Sequence, residues 1–126
     1  MKTPPRISES EWQVMKTVWK RSSCTAHEVV TALSTRKEWS VATIKTLLNR
    51  LLAKGALRFE KVGKSYVYYP VFTEDQLRTT EADSFLHRVF DGALSPMVAH
   101  FVRSRRLSRK ELDELERIFR EGRKES

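Results

Sequence analysis

Residues 40–69 constrain the fold of this chain more than any other stretch, because they join two patterns that depend on each other. They read SVATIKTLLNRLLAKGALRFEKVGKSYVYY. Apolar residues recur at helical spacing as far as Gly55, and two short strand-like runs then flank a Gly-Lys turn. The stretch predicts an amphipathic helix over 41–54, followed by a two-stranded hairpin over 56–62 and 65–71.

Two independent signals mark the helix starts. In a capping box, Ser or Thr is followed three residues later by Glu or Gln, and an apolar staple pair flanks the cap. The boxes are Ser8–Glu11, Thr25–Glu28, Thr73–Gln76 and Ser108–Glu111. Ser40 lacks the box but has the staple Trp39–Ile44. Together with the apolar spacing, these signals predict helices at about 9–20, 26–35, 41–54, 74–91, 95–104 and 109–121.

The order of these elements predicts a mainly α protein with a small antiparallel β hairpin. Three helices and a hairpin form a winged helix-turn-helix over residues 1–72, and three further helices form a second region over 73–126. Pro70, which has no N–H to donate, indicates the end of an edge strand.

The position of the charge is more informative than its size. The net charge is +8, and residues 1–72 hold 13 Lys/Arg against 5 Asp/Glu, whereas 73–126 hold 11 of each. A localised excess predicts a polyanionic partner, nucleic acid before a membrane surface. No apolar run approaches the roughly 20 residues of a membrane span, and no secretory signal is visible. We therefore predict a cytoplasmic protein without membrane association.

The helix over 41–54 predicts a DNA-reading surface on the side away from its leucines. Arg can donate two hydrogen bonds to guanine, Asn can pair with adenine, and the Thr methyl can touch that of thymine. Lysines at the hairpin tip would hold the DNA backbone and set affinity rather than sequence. A face of this kind taken alone is usually only solvated; the charge asymmetry favours DNA. The predicted DNA-binding residues are Thr43, Lys45, Thr46, Asn49, Arg50, Lys54, Lys61, Lys64 and Ser65.

The region over 73–126 predicts a dimerisation surface, because three short helices are marginal for a core of their own. Their apolar stripes are most simply buried against a second copy of the chain. The alternative is a monomer that folds these helices onto its own winged helix. The predicted dimerisation residues are Leu77, Phe85, Val89, Phe90, Val98, Phe101, Leu112, Leu115, Ile118 and Phe119.

No pattern for catalysis, a metal or a cofactor stands out, and we predict no enzyme activity. The chain has one cysteine, Cys24, which excludes an internal disulfide, and its staple position indicates a small buried side chain. Whether Cys24 has a redox role stays open. Three histidines lie on different predicted helices without metal-ligand spacing.

The sequence resembles the penicillinase-repressor family of bacterial transcription regulators along about residues 6–121. The matching segments are SESEWQVMKTVW, SVATIKTLLNRLLAKGALRFEKVGKSYVYYP, SFLHRVFDGALSPMVAHF and LSRKELDELERI. The resemblance implies a homodimeric, sequence-specific repressor that occupies a palindromic operator in double-stranded DNA. The family usually has Lys where this chain has Ala42, which implies a different operator preference.

The resemblance also bears on how repression would end. In antibiotic-responsive members a sensor-linked protease cuts an Asn-Phe bond in the C-terminal helices; the corresponding bond here is His100–Phe101, which keeps the Phe but not the Asn. Copper-responsive members carry a C-terminal Cys-x-Cys cluster, which REGRKES lacks. Two alternatives to a repressor stay open: a winged helix that binds an acidic protein, and a regulator that binds a small effector.

Overall fold

The structure is a computed structural model that describes residues 3–125 except the side chain of Lys37. These residues form six helices and three strands in two compact units, one ending at Asp83 and the other beginning at Ser84. The mainly α fold with a small antiparallel sheet is confirmed. In chain order the elements are α1 (Glu9–Arg21), β1 (Cys24–Thr25), α2 (Ala26–Lys37), α3 (Val41–Lys54), β2 (Leu57–Val62), β3 (Ser65–Pro70), α4 (Glu74–Phe90), α5 (Leu94–Ser104) and α6 (Arg109–Glu125).

The sheet contains the predicted hairpin and one strand that the sequence did not reveal. Residues 57–62 of β2 lie opposite 65–70 of β3 in antiparallel register. The two-residue strand β1 pairs with the other side of β3 through Cys24↔Tyr68. The sheet order is therefore β1-β3-β2, and the prediction that Pro70 ends an edge strand is wrong because β3 is central. Two residues are too few to show the alternation that marks a strand.

The core of the first unit lies where α1, α2, α3 and the sheet meet. Its main side chains are Val14, Met15, Val18, Val29, Leu33, Ile44, Leu47, Leu48, Leu51, Leu57 and Tyr68. Leu77 of α4 belongs to the same core and is only 1% exposed. The prediction that Leu77 lies in a dimer interface is therefore wrong, since its own chain already covers it. Because Leu77 packs in this core, the first compact unit extends past the predicted boundary at residue 72, as far as Asp83.

The helix starts follow the predicted caps. Ser8 and Thr25 each form the complete capping box, and the Thr73 hydroxyl accepts from the Gln76 N–H at 3.1 Å. The Ser40 hydroxyl accepts from the Thr43 N–H at 3.1 Å, so α3 begins at Val41 as predicted. Such caps satisfy N–H groups that a helix start leaves unpaired. At the other end of the chain, α6 continues past its predicted end at 121 as far as Glu125.

Gly55 ends α3 and turns the chain into the hairpin. Its φ is +79°, the left-handed region that L side chains rarely adopt. The N–H of Gly55 donates to the Leu52 carbonyl at 3.1 Å, and that of Ala56 to the Leu51 carbonyl at 3.0 Å. These bonds satisfy carbonyls at the helix end. The direction in which β2 leaves α3 therefore depends on a conformation that glycine adopts without strain.

We expect Gly55→Ala to lower the free energy of unfolding of the first unit by about 1–2 kcal/mol, the cost of a left-handed L-residue. Urea denaturation followed by tryptophan fluorescence measures this, since Trp12, Trp19 and Trp39 all belong to that unit. Gly122→Ala is the matched control, because Gly122 lies within α6 and a Cβ there meets nothing within 4 Å. Equal losses in both variants would contradict the explanation.

Candidate nucleic-acid interface

The inner face of α3 packs in the core, and its outer face is exposed to solvent. Ile44, Leu47, Leu48 and Leu51 are at most 5% exposed and pack within the first unit. The helical period then turns the intervening residues toward solvent. The exposed residues of α3 are Val41, Ala42, Thr43, Lys45, Thr46, Asn49, Arg50, Ala53 and Lys54. Every α3 residue predicted to bind DNA is therefore accessible, and whether each binds DNA stays a prediction.

The two threonines of this face use their hydroxyls within the helix. The Thr46 hydroxyl donates to the Ala42 carbonyl at 2.9 Å, and the Thr43 hydroxyl lies 3.0 Å from that of Ser40. A hydroxyl that bonds back to the preceding turn holds its side chain in a fixed rotamer. Thr46 thus presents an ordered methyl group and acceptor lone pairs rather than a freely rotating donor.

Asn49, Arg50 and Lys45 have side chains without a hydrogen-bond or ion-pair partner among the described residues. Their donors are therefore all available to a ligand. Arg50 offers the forked donors that pair with guanine, and Asn49 the donor and acceptor that pair with adenine. Asn49 and Arg50 are adjacent in sequence, and both are exposed.

Lys54 differs from the other cations of α3 because it is bound to the protein itself. Its Nζ donates to Oε1 of Glu11 at 2.5 Å, and the same oxygen accepts from the Ser8 N–H at 2.7 Å. Glu11 is 1% exposed, whereas the side chain of Lys54 is 36% exposed. An ammonium has three donors, so the pair leaves Lys54 with two for another acceptor.

The ionisation of Glu11 reflects opposing effects. Burial raises the pKa of this carboxyl. Hydrogen bonds from Lys54 and Ser8 and the charge of Lys54 together lower the pKa by more than burial raises it, so the pKa lies below its ordinary value. Glu11 Oε2 has no hydrogen-bond partner among the described residues. The sequence assigned Glu11 only to a capping box. Met15 and Val18 follow Glu11 at i+4 and i+7, which places Glu11 on the buried face of α1. This spacing is the signal in the sequence that could have identified Glu11 as buried.

The hairpin tip carries cations that are free of acidic partners in the described part of the chain. Lys61, Lys64 and Ser65 are exposed beside Gly63, whose φ of +63° makes the tight turn. Arg58, nearer the base of the hairpin, is engaged instead. It pairs with Glu60 at 2.9 Å and lies 4.3 Å from the ring centroid of Tyr69. The two lysines are therefore the hairpin cations ready to meet a phosphate.

An aromatic pair on the hairpin was not predicted as part of a surface. Phe59 and Tyr66 pack edge to face with centroids 5.2 Å apart, yet they are 50% and 46% exposed. The register puts Phe59 opposite Tyr68, whose side chain is buried. The pair therefore continues the apolar face of the sheet beyond the core. The sequence showed strand propensity here but not how far the core extends.

Cys24 lies inside the fold. It is 0% exposed, and its Sγ lies 3.7 Å from the Thr17 carbonyl oxygen. Burial, and after it the charge of Glu28, raises the pKa of the thiol. The thiolate is the reactive form of cysteine, so this environment disfavours reactivity at neutral pH. The described residues contain no cluster of three or more His, Cys, Asp or Glu placed to hold a metal ion, and no helix among them is long and apolar enough to cross a membrane.

A family model and curated relatives show which family the chain matches. A family model described as penicillinase repressor matches residues 7–121. The penicillinase repressor of Bacillus licheniformis is 42% identical over 121 residues, covering 96% of this chain and 94% of that protein. The methicillin resistance regulatory protein MecI of Staphylococcus aureus strain N315 is 32% identical over 113 residues, covering 90% and 92%.

Two of the solved structures that match the first part of the chain are of BlaI. The solution structure of the DNA-binding domain of the repressor BlaI has a TM-score of 0.55 and 46% identity, covering 60% of this chain and 93% of that one. The monomeric form of Bacillus licheniformis BlaI in complex with the blaP half-operator has a TM-score of 0.54, with the same identity and coverage. These matches confirm the winged-helix fold.

The Glu11–Lys54 pair predicts a specific loss of stability in acid. The folded pKa of Glu11 lies below the ordinary value of 4.5, so its carboxylate stabilises the fold fully above that value and loses this contribution as the pH falls through the folded pKa. Glu11→Gln should cost about 1–3 kcal/mol at neutral pH. It should also reduce the further loss between neutral pH and about pH 3. Urea denaturation at each pH measures both effects.

Glu60→Gln is the control for this experiment. Glu60 also pairs with a cation, but both side chains are more than half exposed, and such pairs contribute at most about 1 kcal/mol. Its acid profile should match that of the unsubstituted chain. If Glu11→Gln retains the full acid loss, Glu11 is not the group responsible.

Proposed function

The chain belongs to the penicillinase repressor family, and from this membership we propose that it is a homodimeric repressor of transcription that occupies a palindromic operator in double-stranded DNA. The family is one of DNA-binding transcriptional repressors, which are not enzymes. We propose that residues 1–72 bind DNA and that residues 73–126 join two copies. The rest of the proposal concerns which side chains perform each task.

The observation that carries the DNA-binding proposal is the set of unpaired polar groups on α3 and the hairpin of one compact unit. Asn49 and Arg50 would read base edges in the major groove, since a recognition helix presents its exposed face there. Lys61 and Lys64 would contact phosphates of the flanking backbone. A relative that is 46% identical over this unit has been solved with a half-operator, which supports the same use of this surface.

The proposal of a dimer is supported by the apolar surface of the second unit. Within the described residues, α5 and α6 have no buried side chain. A stable helix normally buries one face, and isolated short helices are marginal in water. Exposed side chains of this unit are Val89, Leu94, Phe101, Val102, Leu112, Ile118 and Phe119, at 37–57%. A second copy would cover them with an equivalent surface.

The operator geometry supports two copies as well. The related BlaI structure contains a monomeric form with a half-operator, so a whole operator would take two copies. Two-fold dimers of helix-turn-helix proteins place their recognition helices about 34 Å apart, or a multiple of that distance. A dimer joined through the second unit would thus match a palindrome whose half-sites lie on one side of the DNA.

We propose that repression ends by proteolysis at His100–Phe101. This bond lies within α5, where the His100 ring is 5.9 Å from that of Phe90, and the Phe101 ring is 6.4 Å from that of Phe85. A bond inside a helix becomes accessible to a protease when the helix opens locally. Cleavage would separate the DNA-binding unit from α6 and much of the apolar surface, and thereby dissociate the dimer.

Selection from a random duplex library tests the DNA-binding proposal. We expect a palindromic sequence to be enriched and its affinity to fall steeply with salt, by about 0.9 in log K per log unit of salt for each phosphate neutralised. Arg50→Ala should cost about 1–3 kcal/mol and relax preference at one position per half-site. Lys64→Ala should weaken binding to all sequences and lower the salt slope by about one.

Lys110→Ala is the control for both variants, because it removes a similar charge from α6 in the second unit. It should leave the selected sequence unchanged and the salt slope within error. Enrichment of no sequence would favour instead a winged helix that binds an acidic protein.

Phe119→Glu tests the dimer. Phe119 is 52% exposed in the single chain, and a Glu carboxylate in its place would be buried without a partner in the proposed interface. We expect the dimer to weaken by at least about 2 kcal/mol in sedimentation equilibrium. Val62→Glu introduces the same carboxylate at a residue of similar exposure on the hairpin and should leave the dimer intact. Equal effects of the two variants would contradict an interface at α6.

A further inference from the structure

A small apolar cavity opens at the surface where the starts of α2 and α3 meet. Its volume is about 260 Å³, and it is lined by Ala26, His27 and Val30 of α2 and by Val41 and Lys45 of α3. Three of these five side chains are aliphatic, and none of the lining residues is acidic. Ala26 and Val30 pack against the core behind the cavity. The floor of the cavity is therefore apolar, and its edge carries a cation and a histidine.

The exposed aliphatic side chain of Val41 is unusual on a surface that is proposed to bind DNA. Val41 is the first residue of α3 and is 49% exposed, although a β-branched aliphatic side chain gains nothing from contact with water. Its position is fixed, since the preceding residue, Ser40, caps the helix. The chain thus holds an ordered apolar group at the N-terminal end of its proposed recognition helix.

The N-terminal residues of a recognition helix are the ones that reach base edges, while the preceding helix crosses the backbone. A cavity lined by the starts of both helices therefore lies where a base edge and a phosphate would approach together. Among the four bases, only thymine presents an apolar group in the major groove, its 5-methyl. Lys45 at the cavity edge suits the neighbouring phosphate or a guanine.

We propose that this cavity is a binding site for the 5-methyl group of one thymine in each operator half-site, and that Val41 determines this preference. The inference rests on the proposed DNA-binding function and specifies one element of its sequence preference. A methyl group moved from water into an apolar site contributes about fourfold in affinity. Asn49 and Arg50 would act through hydrogen bonds at other positions, so this contribution is separable from theirs.

Deoxyuridine substitution tests the site, because deoxyuridine keeps every hydrogen-bonding group of thymine and lacks only the methyl. The 126-residue chain would be titrated with the library-selected operator, with each thymine replaced in turn. We expect one replacement per half-site to weaken binding about fourfold. In Val41→Ala the same replacement should have little further effect, since the methyl would no longer meet an apolar wall.

Val62→Ala is the matched control: the same substitution at a valine that is 57% exposed and does not line the cavity. It should keep the full dependence on the thymine methyl, even if its affinity changes. Thermal unfolding of all variants would show that the helices are intact. An operator whose affinity depends on no thymine methyl, or depends on one equally in Val41→Ala, would overturn this inference alone. Selection of no operator would overturn the proposed function and this inference with it.

Discussion

The carboxylate of Glu11 joins the start of α1 to the end of α3, within the unit that has the winged-helix fold. One oxygen accepts from the Ser8 N–H and from Lys54 Nζ, so a helix cap and an interhelical ion pair share an atom. Gly55, the residue after Lys54, ends α3 and turns the chain toward β2. The Val71 N–H donates to the Ala56 carbonyl at 3.0 Å and closes the base of the hairpin. The end of the recognition helix and the beginning of the wing are therefore held at one place.

Much of this unit could be predicted because its signals are local. The Ser40 cap and the spacing of Ile44, Leu47, Leu48 and Leu51 determine where α3 begins and which side it exposes, and the structure agrees on both. The features that escaped prediction depend on distant contacts. Strand β1 exists only because β3 pairs with it, and Glu11 is an ion-pair residue only because α3 ends beside it. A sequence pattern records the period of an element, not its neighbours.

The second unit shows the same limit of prediction from sequence patterns. The apolar stripes of α5 and α6 were visible in the sequence, and the structure leaves none of their side chains fully buried. Leu77 had the same appearance as those residues but is covered by the first unit. Periodicity therefore identifies an apolar face that must be buried, but it does not show whether the same chain or a second copy buries that face.

The hairpin has one further property, which follows from the contacts of Arg58. This guanidinium is engaged by Glu60 and by the ring of Tyr69, while Lys61 and Lys64 nearer the tip are free of acidic partners in the described chain. Glu60 is exposed and belongs neither to the core nor to the recognition helix. Replacing it by a neutral residue would remove a negative charge from the wing and leave Arg58 without its acidic partner, although still over the Tyr69 ring. We infer that residue 60 can adjust the proposed affinity of the hairpin for phosphate without a change in the residues proposed to read bases.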